Sequence, residues 1–145
     1  GVYRVGFATS QRAHDQAFDE LFSALDHLDA VLAHQRYLCG TDLTEADLCM
    51  LTTLIRFDPV YHGHFKCNLR RIVDYEHLSG YIRELYQLPH VADTCDFDHI
   101  KRHYYQSHTR LNPTHIVARG PDLRWLREPH GRDRLAGGPP AGLNA

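Results

Sequence analysis

From about Ser10 to Ala33 the apolar positions Ala13, Ala17, Phe18, Leu21, Phe22, Leu25, Leu28, Val31 and Leu32 recur every three or four residues. That period predicts an amphipathic helix over most of this stretch. A second helix is predicted from Thr44, where Ala46, Leu48, Leu51, Leu54, Ile55 and Phe57 spread around nearly the whole circumference. A helix apolar on all sides is expected at the centre of a bundle, with Cys49 buried and inert inside it. Pro59 should end it or kink it. Further on, Leu78, Tyr81, Ile82, Leu85 and Tyr86 repeat the helical spacing, Pro89 opens a short new turn, and Asp96 can cap a helix running to about Tyr105. No strand alternation is sustained, and no internal repeat is visible. The pattern therefore predicts an all-α helical bundle over residues 8–112, with an extended segment over 113–145 packed on it.

The run "LTEADL", Leu43 to Leu48, shows how the second helix begins. With Thr44 as N-cap, Asp47 stands at the third helical position, so hydroxyl and carboxylate can each serve the other's backbone amide in a capping box. The carboxylate also faces the positive end of the helix dipole. Leu43 and Leu48 have the spacing of a hydrophobic staple. Thr44 and Asp47 are accordingly read as a structural cap worth roughly 1 kcal/mol, not as catalytic groups.

Composition narrows the field. At 145 residues with 43% hydrophobic content the chain can bury one core, and a formal net charge of −2 with a pI near 6.7 leaves no footprint for nucleic acid or an anionic membrane. No segment approaches the roughly 20 apolar residues needed to cross a bilayer. A soluble cytoplasmic protein is expected. Cys39, Cys49, Cys67 and Cys95 include no C-x-x-C pair and are expected to be reduced thiols. The opening "GVYRVGF" lacks a methionine and is already apolar and aromatic, as expected of a fragment, whereas "RDRLAGGPPAGLNA" reads as a loose tail.

Twelve histidines raise the question of a metal. His62 and His64 with Cys67, or His99 and His103 beside Asp98, could supply two or three ligands, but neither is a four-ligand set and no metal site is assigned. Cys67, between Lys66 and Arg70, is the only thiol in a basic setting, and it too is read as non-catalytic. The richest polar-aromatic run is "FDHIKRHYYQSHTRLNPT", Phe97 to Thr114. Its tyrosines suit a flat ligand with polar edges, because the ring packs while the hydroxyl hydrogen-bonds. An ordinary amphipathic helix with tyrosine tips at the surface fits the same spacing.

Several longer segments carry a resemblance. "GVYRVGFATSQ", "YLCGTDLTEADL", "TTLIRFDPVYHGHFKCNLRRIVDY", "GYIRELYQLPHVADTCDFDHIKRHYYQSH" and "NPTHIVARGP" resemble the C-terminal helical domain of glutathionyl-hydroquinone reductases, the xi class of glutathione transferases. The likeness runs from Gly1 to about Arg132. It implies a two-domain, homodimeric enzyme in which a thioredoxin-like domain binds glutathione and presents a nucleophilic cysteine in a Cys-Pro-Trp context. The helical domain then supplies most of the pocket for the aromatic substrate. In that chemistry the thiolate attacks the sulfur of a glutathionyl-hydroquinone, hydroquinone leaves, and a second glutathione resolves the mixed disulfide. Tyr3 and Tyr104 match tyrosines whose hydroxyls contact the quinol oxygen.

The departures from the family pattern are definite. No Cys-Pro-Trp occurs in the chain, which is expected to lack the catalytic cysteine, the glutathione-binding domain and the first half of its first long helix. His115 stands where the pattern usually has glycine. A stand-alone interaction module without catalysis is the competing reading, since helical domains of this type also serve as docking pieces.

Overall fold

The long helical period becomes α2, Gln11–Leu32, which buries Ala17, Leu21, Phe22, Leu25 and Leu32 and is capped by the Ser10 hydroxyl accepting from the Ala13 amide at 3.3 Å. The computed structural model describes residues 1–140 and 142, and among these it is helical with only isolated bridge pairs in place of strands. A short helix, α1 (Val2–Gly6), precedes α2 and packs on it through Val2 and Val5. The predicted helix at Thr44 is α3, Glu45–Leu54. Beyond it the chain runs through a π-helical segment, Phe57–Tyr61, into a single turn, α4 (His62–His64). Two longer helices follow, α5 (Glu76–Tyr86) and α6 (Phe97–Ser107), the latter capped by Asp96 accepting from the His99 amide at 2.9 Å. Helix α5 sits at the centre, against both α2 and α3, and Leu78, Tyr81, Ile82 and Leu85 on it are fully buried.

Pro59 explains the π-helical segment. Lacking an N–H, it cannot bond to the carbonyl one turn back. The Arg56 carbonyl then accepts from both Val60 at 3.0 Å and Tyr61 at 3.3 Å, and the extra residue is absorbed without ending the helix. The residue predicted to stop or kink the helix thus changes its register.

The capping box at α3 forms, but its carboxylate does more than cap. Asp47 is fully buried; one oxygen accepts from the Thr44 amide at 2.8 Å and the Thr44 hydroxyl at 2.9 Å. Its other oxygen accepts from the Leu38 amide and the Tyr81 hydroxyl, both at 2.8 Å, so Asp47 ties α3 to α5 and to the preceding loop. Other helix starts are capped across the fold. Asp29 on α2 accepts from the His77 and Leu78 amides at the start of α5, and Asp58 accepts from Ile72 and Val73.

Three expectations are corrected. Leu48 is 45% exposed, and Cys49 beside it is exposed rather than buried. Only Asp47, Leu51 and Leu54 of α3 are buried, because its apolar circumference meets the rest of the fold on one side only. The tail is not loose over Arg132 to Gly138. Arg132 is 4% exposed and donates to the Leu32 carbonyl at the C-terminal end of α2 and to the Gln35 and Arg36 carbonyls of the loop that follows, while its Nε meets Glu84 at 3.0 Å. Glu84 also accepts from Arg36 at 2.6 Å and the Tyr37 hydroxyl at 2.9 Å. Gly137 takes a positive φ of 95° so close to the Thr41 carbonyl that a side chain would collide with it.

Candidate functional site

Tyr3 on α1, Tyr61 on the π-helical segment and Tyr104 on α6 converge from three elements. The Tyr104 hydroxyl lies 2.9 Å from that of Tyr3 and 3.0 Å from that of Tyr61, forming a continuous hydroxyl chain. Tyr61 and Tyr104 are buried, and Tyr3 is half exposed at the open end. Behind them lies the fully buried ring of Phe65, with Tyr61 stacked on it at 5.3 Å and Tyr3 edge-on at 5.1 Å. Gly6 makes this approach possible. A Cβ there would lie 2.4 Å from the Phe65 ring, so a larger residue would push α1, and Tyr3 with it, off the site.

Counting protons shows what the chain of hydroxyls can do. Three hydroxyls bring three protons and two mutual hydrogen bonds use two of them. One proton is left for an outside acceptor. An incoming oxygen that replaces the Tyr3–Tyr104 bond can receive a proton from each, with Tyr61 still holding Tyr104 in place. Burial raises the pKa of all three phenols, that of Tyr3 to about 12, so they stay protonated donors at neutral pH.

Two clefts flank the tyrosines. One, of about 270 Å³, is lined by Arg56, His99, Ile100, His103 and Tyr104. The other, of about 320 Å³, is mostly apolar and includes Tyr3, Tyr61, Leu25, Met50, Leu54 and Phe57. No cysteine lines either.

The two sequence-predicted tyrosines, Tyr3 and Tyr104, are therefore brought into contact, while Thr44 and Asp47 are held apart in their buried cap. Nothing in the sequence pattern distinguishes Tyr61. It lies in an apolar stretch just after Pro59, and the π-helical segment that carries it brings its hydroxyl to that of Tyr104. The histidine groupings do not assemble as candidate ligands. His64 turns instead to His108, with Nε2 and Nδ1 3.1 Å apart, and among the described residues no group of three or more His, Cys, Asp or Glu is placed to hold a metal. Burial, then the neighbouring His108, depresses the His64 pKa to about 4. Cys67 is buried and its thiol is pushed up to about 12 by desolvation, so the basic sequence around it confers no reactivity.

Residues 11–84 match the glutathione S-transferase C-terminal domain. The chain belongs to the glutathione S-transferase family. Within that family it is 53% identical over 92% of its length to the glutathionyl-hydroquinone reductase YqjG of Escherichia coli, and 53% identical over 83% of its length to the glutathionyl-hydroquinone reductase PcpF of Sphingobium chlorophenolicum. It spans 40% and 39% of those two proteins. Among solved transferase structures, the xi-class enzyme of Natrialba magadii superposes with a TM-score of 0.91 at 56% identity, covering 94% of this chain and 42% of that one. The glutathione-bound structure of YqjG superposes with a TM-score of 0.89 at 53% identity, covering 92% and 43%. The all-α bundle predicted from the hydrophobic period is thus the C-terminal helical domain of a glutathione transferase. His115, where the sequence resemblance leads to an expectation of glycine, adopts a positive φ of 56° and places Nδ1 2.9 Å from the Gln106 carbonyl oxygen.

Proposed function

We propose that this chain is the hydroquinone-binding part of a glutathione-dependent reductase that removes glutathione from glutathionyl-hydroquinones. The observation that carries the reading is the Tyr3–Tyr104–Tyr61 hydroxyl chain, which leaves a proton for an external oxygen at the junction of two clefts. Its matches to glutathionyl-hydroquinone reductases favour this over a docking module. A thiolate supplied by a glutathione-binding domain attacks the thioether sulfur. The sulfur–carbon bond breaks, a disulfide forms, and the ring carbon takes a proton. Tyr3 and Tyr104 donate to the quinol oxygen as charge builds on it, and Tyr61 orients Tyr104 from behind. Residues 8–112 act as the helical domain and 113–145 as its extended C-terminal segment and tail, in a cytoplasmic homodimer. Sedimentation at increasing concentration tests the last point, and a chain that stays monomeric throughout would count against it.

The decisive experiment joins the chain to the glutathione-binding half of a reductase relative and replaces Tyr104 with Phe. Hydroquinone release should fall about a hundredfold, the cost of one donor aimed at developing charge, while the fold persists. Glutathione exchange with a small non-quinone disulfide should continue unchanged. Equal loss in both assays would remove Tyr104 from the quinol site.

A further inference from the structure

Four arginines are drawn at least partly below the surface: Arg36, Arg56, Arg83 and Arg132. Three of them meet glutamates, Arg36 and Arg132 at Glu84 and Arg83 at Glu128. Arg56 is different. Among the described residues it has no carboxylate partner, and its one side-chain hydrogen bond goes to the Thr52 carbonyl. A guanidinium that gives up part of its hydration without a counter-charge is costly, and such a site is stabilised by an anion that comes from outside.

Its surroundings indicate which anion. The 270 Å³ cleft is lined by Arg56, by His99 and His103, which lie four residues apart on α6, and by Ile100 and Tyr104. No acidic side chain lines the cleft. The acids of α6 are engaged elsewhere, Asp96 at the helix cap and Asp98 with Arg102 at 2.6 Å, and Lys101 is occupied by the Ala118 and Arg119 carbonyls. The Arg56 charge also reaches the three hydroxyls, where it opposes the effect of burial on Tyr3, Tyr61 and Tyr104. The cleft therefore shares Tyr104 with the quinol site and offers an apolar wall to a ring edge and a cation to a substituent on that ring.

We infer that Arg56, His99 and His103 form a subsite for a carboxylate carried on the aromatic ring, so that the substrates favoured by this protein are ring-carboxylated hydroquinones. The inference rests on the reading of the tyrosines as a quinol site. A glutathione carboxylate has the same chemistry, but it lacks the aromatic edge that Ile100 and Tyr104 are placed to meet.

The test uses the full chain at pH 7 and low salt, with 2,5-dihydroxybenzoate, its methyl ester, unsubstituted hydroquinone and glutathione as probes. Affinity is followed by calorimetry, and location by perturbation of the Tyr3, Tyr104 and His103 NMR signals. The acid should bind about tenfold tighter than the ester, the effect of one charge-assisted pair at a half-buried site. Arg56→Gln should bring the acid down to the ester's affinity, and Arg56→Lys should restore part of the difference, since it returns the charge without the planar fork. Equal affinity of acid and ester in the unaltered protein, or an unchanged preference in Arg56→Gln, would overturn the inference. So would glutathione binding at His103 as tightly as the acid. Acid bound at Arg56 while ester and hydroquinone leave the tyrosine signals unmoved would uphold the anion subsite and count against the tyrosine reading instead.

Discussion

Replacing Asp47 with Ala should be far more damaging than loss of a helix cap. A cap alone is worth about 1 kcal/mol. Here the carboxylate accepts from two backbone amides, Leu38 and Thr44, and two hydroxyls, Thr44 and Tyr81, at a position with no solvent exposure. The hydroxyls can rotate toward other acceptors, but the amides are held by the backbone. At about 1–3 kcal/mol for each stranded buried donor, the two amides set an expected loss of about 4 kcal/mol. That is a large share of the roughly 5–15 kcal/mol that holds a domain folded. Urea unfolding followed by circular dichroism measures it, with an unchanged m-value showing that both states remain comparable. Tyr81→Phe should cost about 1 kcal/mol alone and almost nothing in the Asp47→Ala background, since its partner has already gone. A loss below about 1.5 kcal/mol for Asp47→Ala, or full additivity with Tyr81→Phe, would mean that the buried network around this carboxylate does not hold α3 to α5 as described.

Two further outcomes follow from the buried histidine and the thiols. His64 has its pKa depressed from 6.5 to about 4 by burial and then by His108, so the unfolded chain takes up its proton first as pH falls. Its contribution to stability is present above pH 6.5, declines between 6.5 and about 4, and levels off below that; an identical acid slope in thermal unfolding of His64→Phe would refute this. Alkylation with iodoacetamide at pH 8 should label the exposed Cys39 and Cys49 rapidly and leave Cys67, whose thiol is buried and raised to about 12, unlabelled until the protein is denatured. Peptide mapping by mass spectrometry reads the order, and early labelling of Cys67 would contradict its placement in the core.

Much of the architecture is written in local pattern. The period of α2, the Ser10 and Asp96 caps and the Thr44–Asp47 box each depend on residues within one or two turns of one another, so the sequence alone determines them. Tyr3 and Tyr104 were legible as site candidates through family resemblance, since spacing cannot bring together side chains 101 positions apart. What only the tertiary structure decided involves partners distant in sequence. The exposure of Leu48 and Cys49 depends on what lies beside α3, and the same apolar run would be buried had another helix covered that face. The fate of the tail turns on Arg132 finding the Leu32 carbonyl at the end of α2, the two carbonyls of the loop after it and the carboxylate of Glu84. Tyr61 joins the other tyrosines because Pro59 withholds one hydrogen bond and the backbone answers with a change of register. Arg56 stands out for the same kind of reason: whether a partly buried charge is paired is a property of the space around it, and that space is filled by residues from everywhere in the chain.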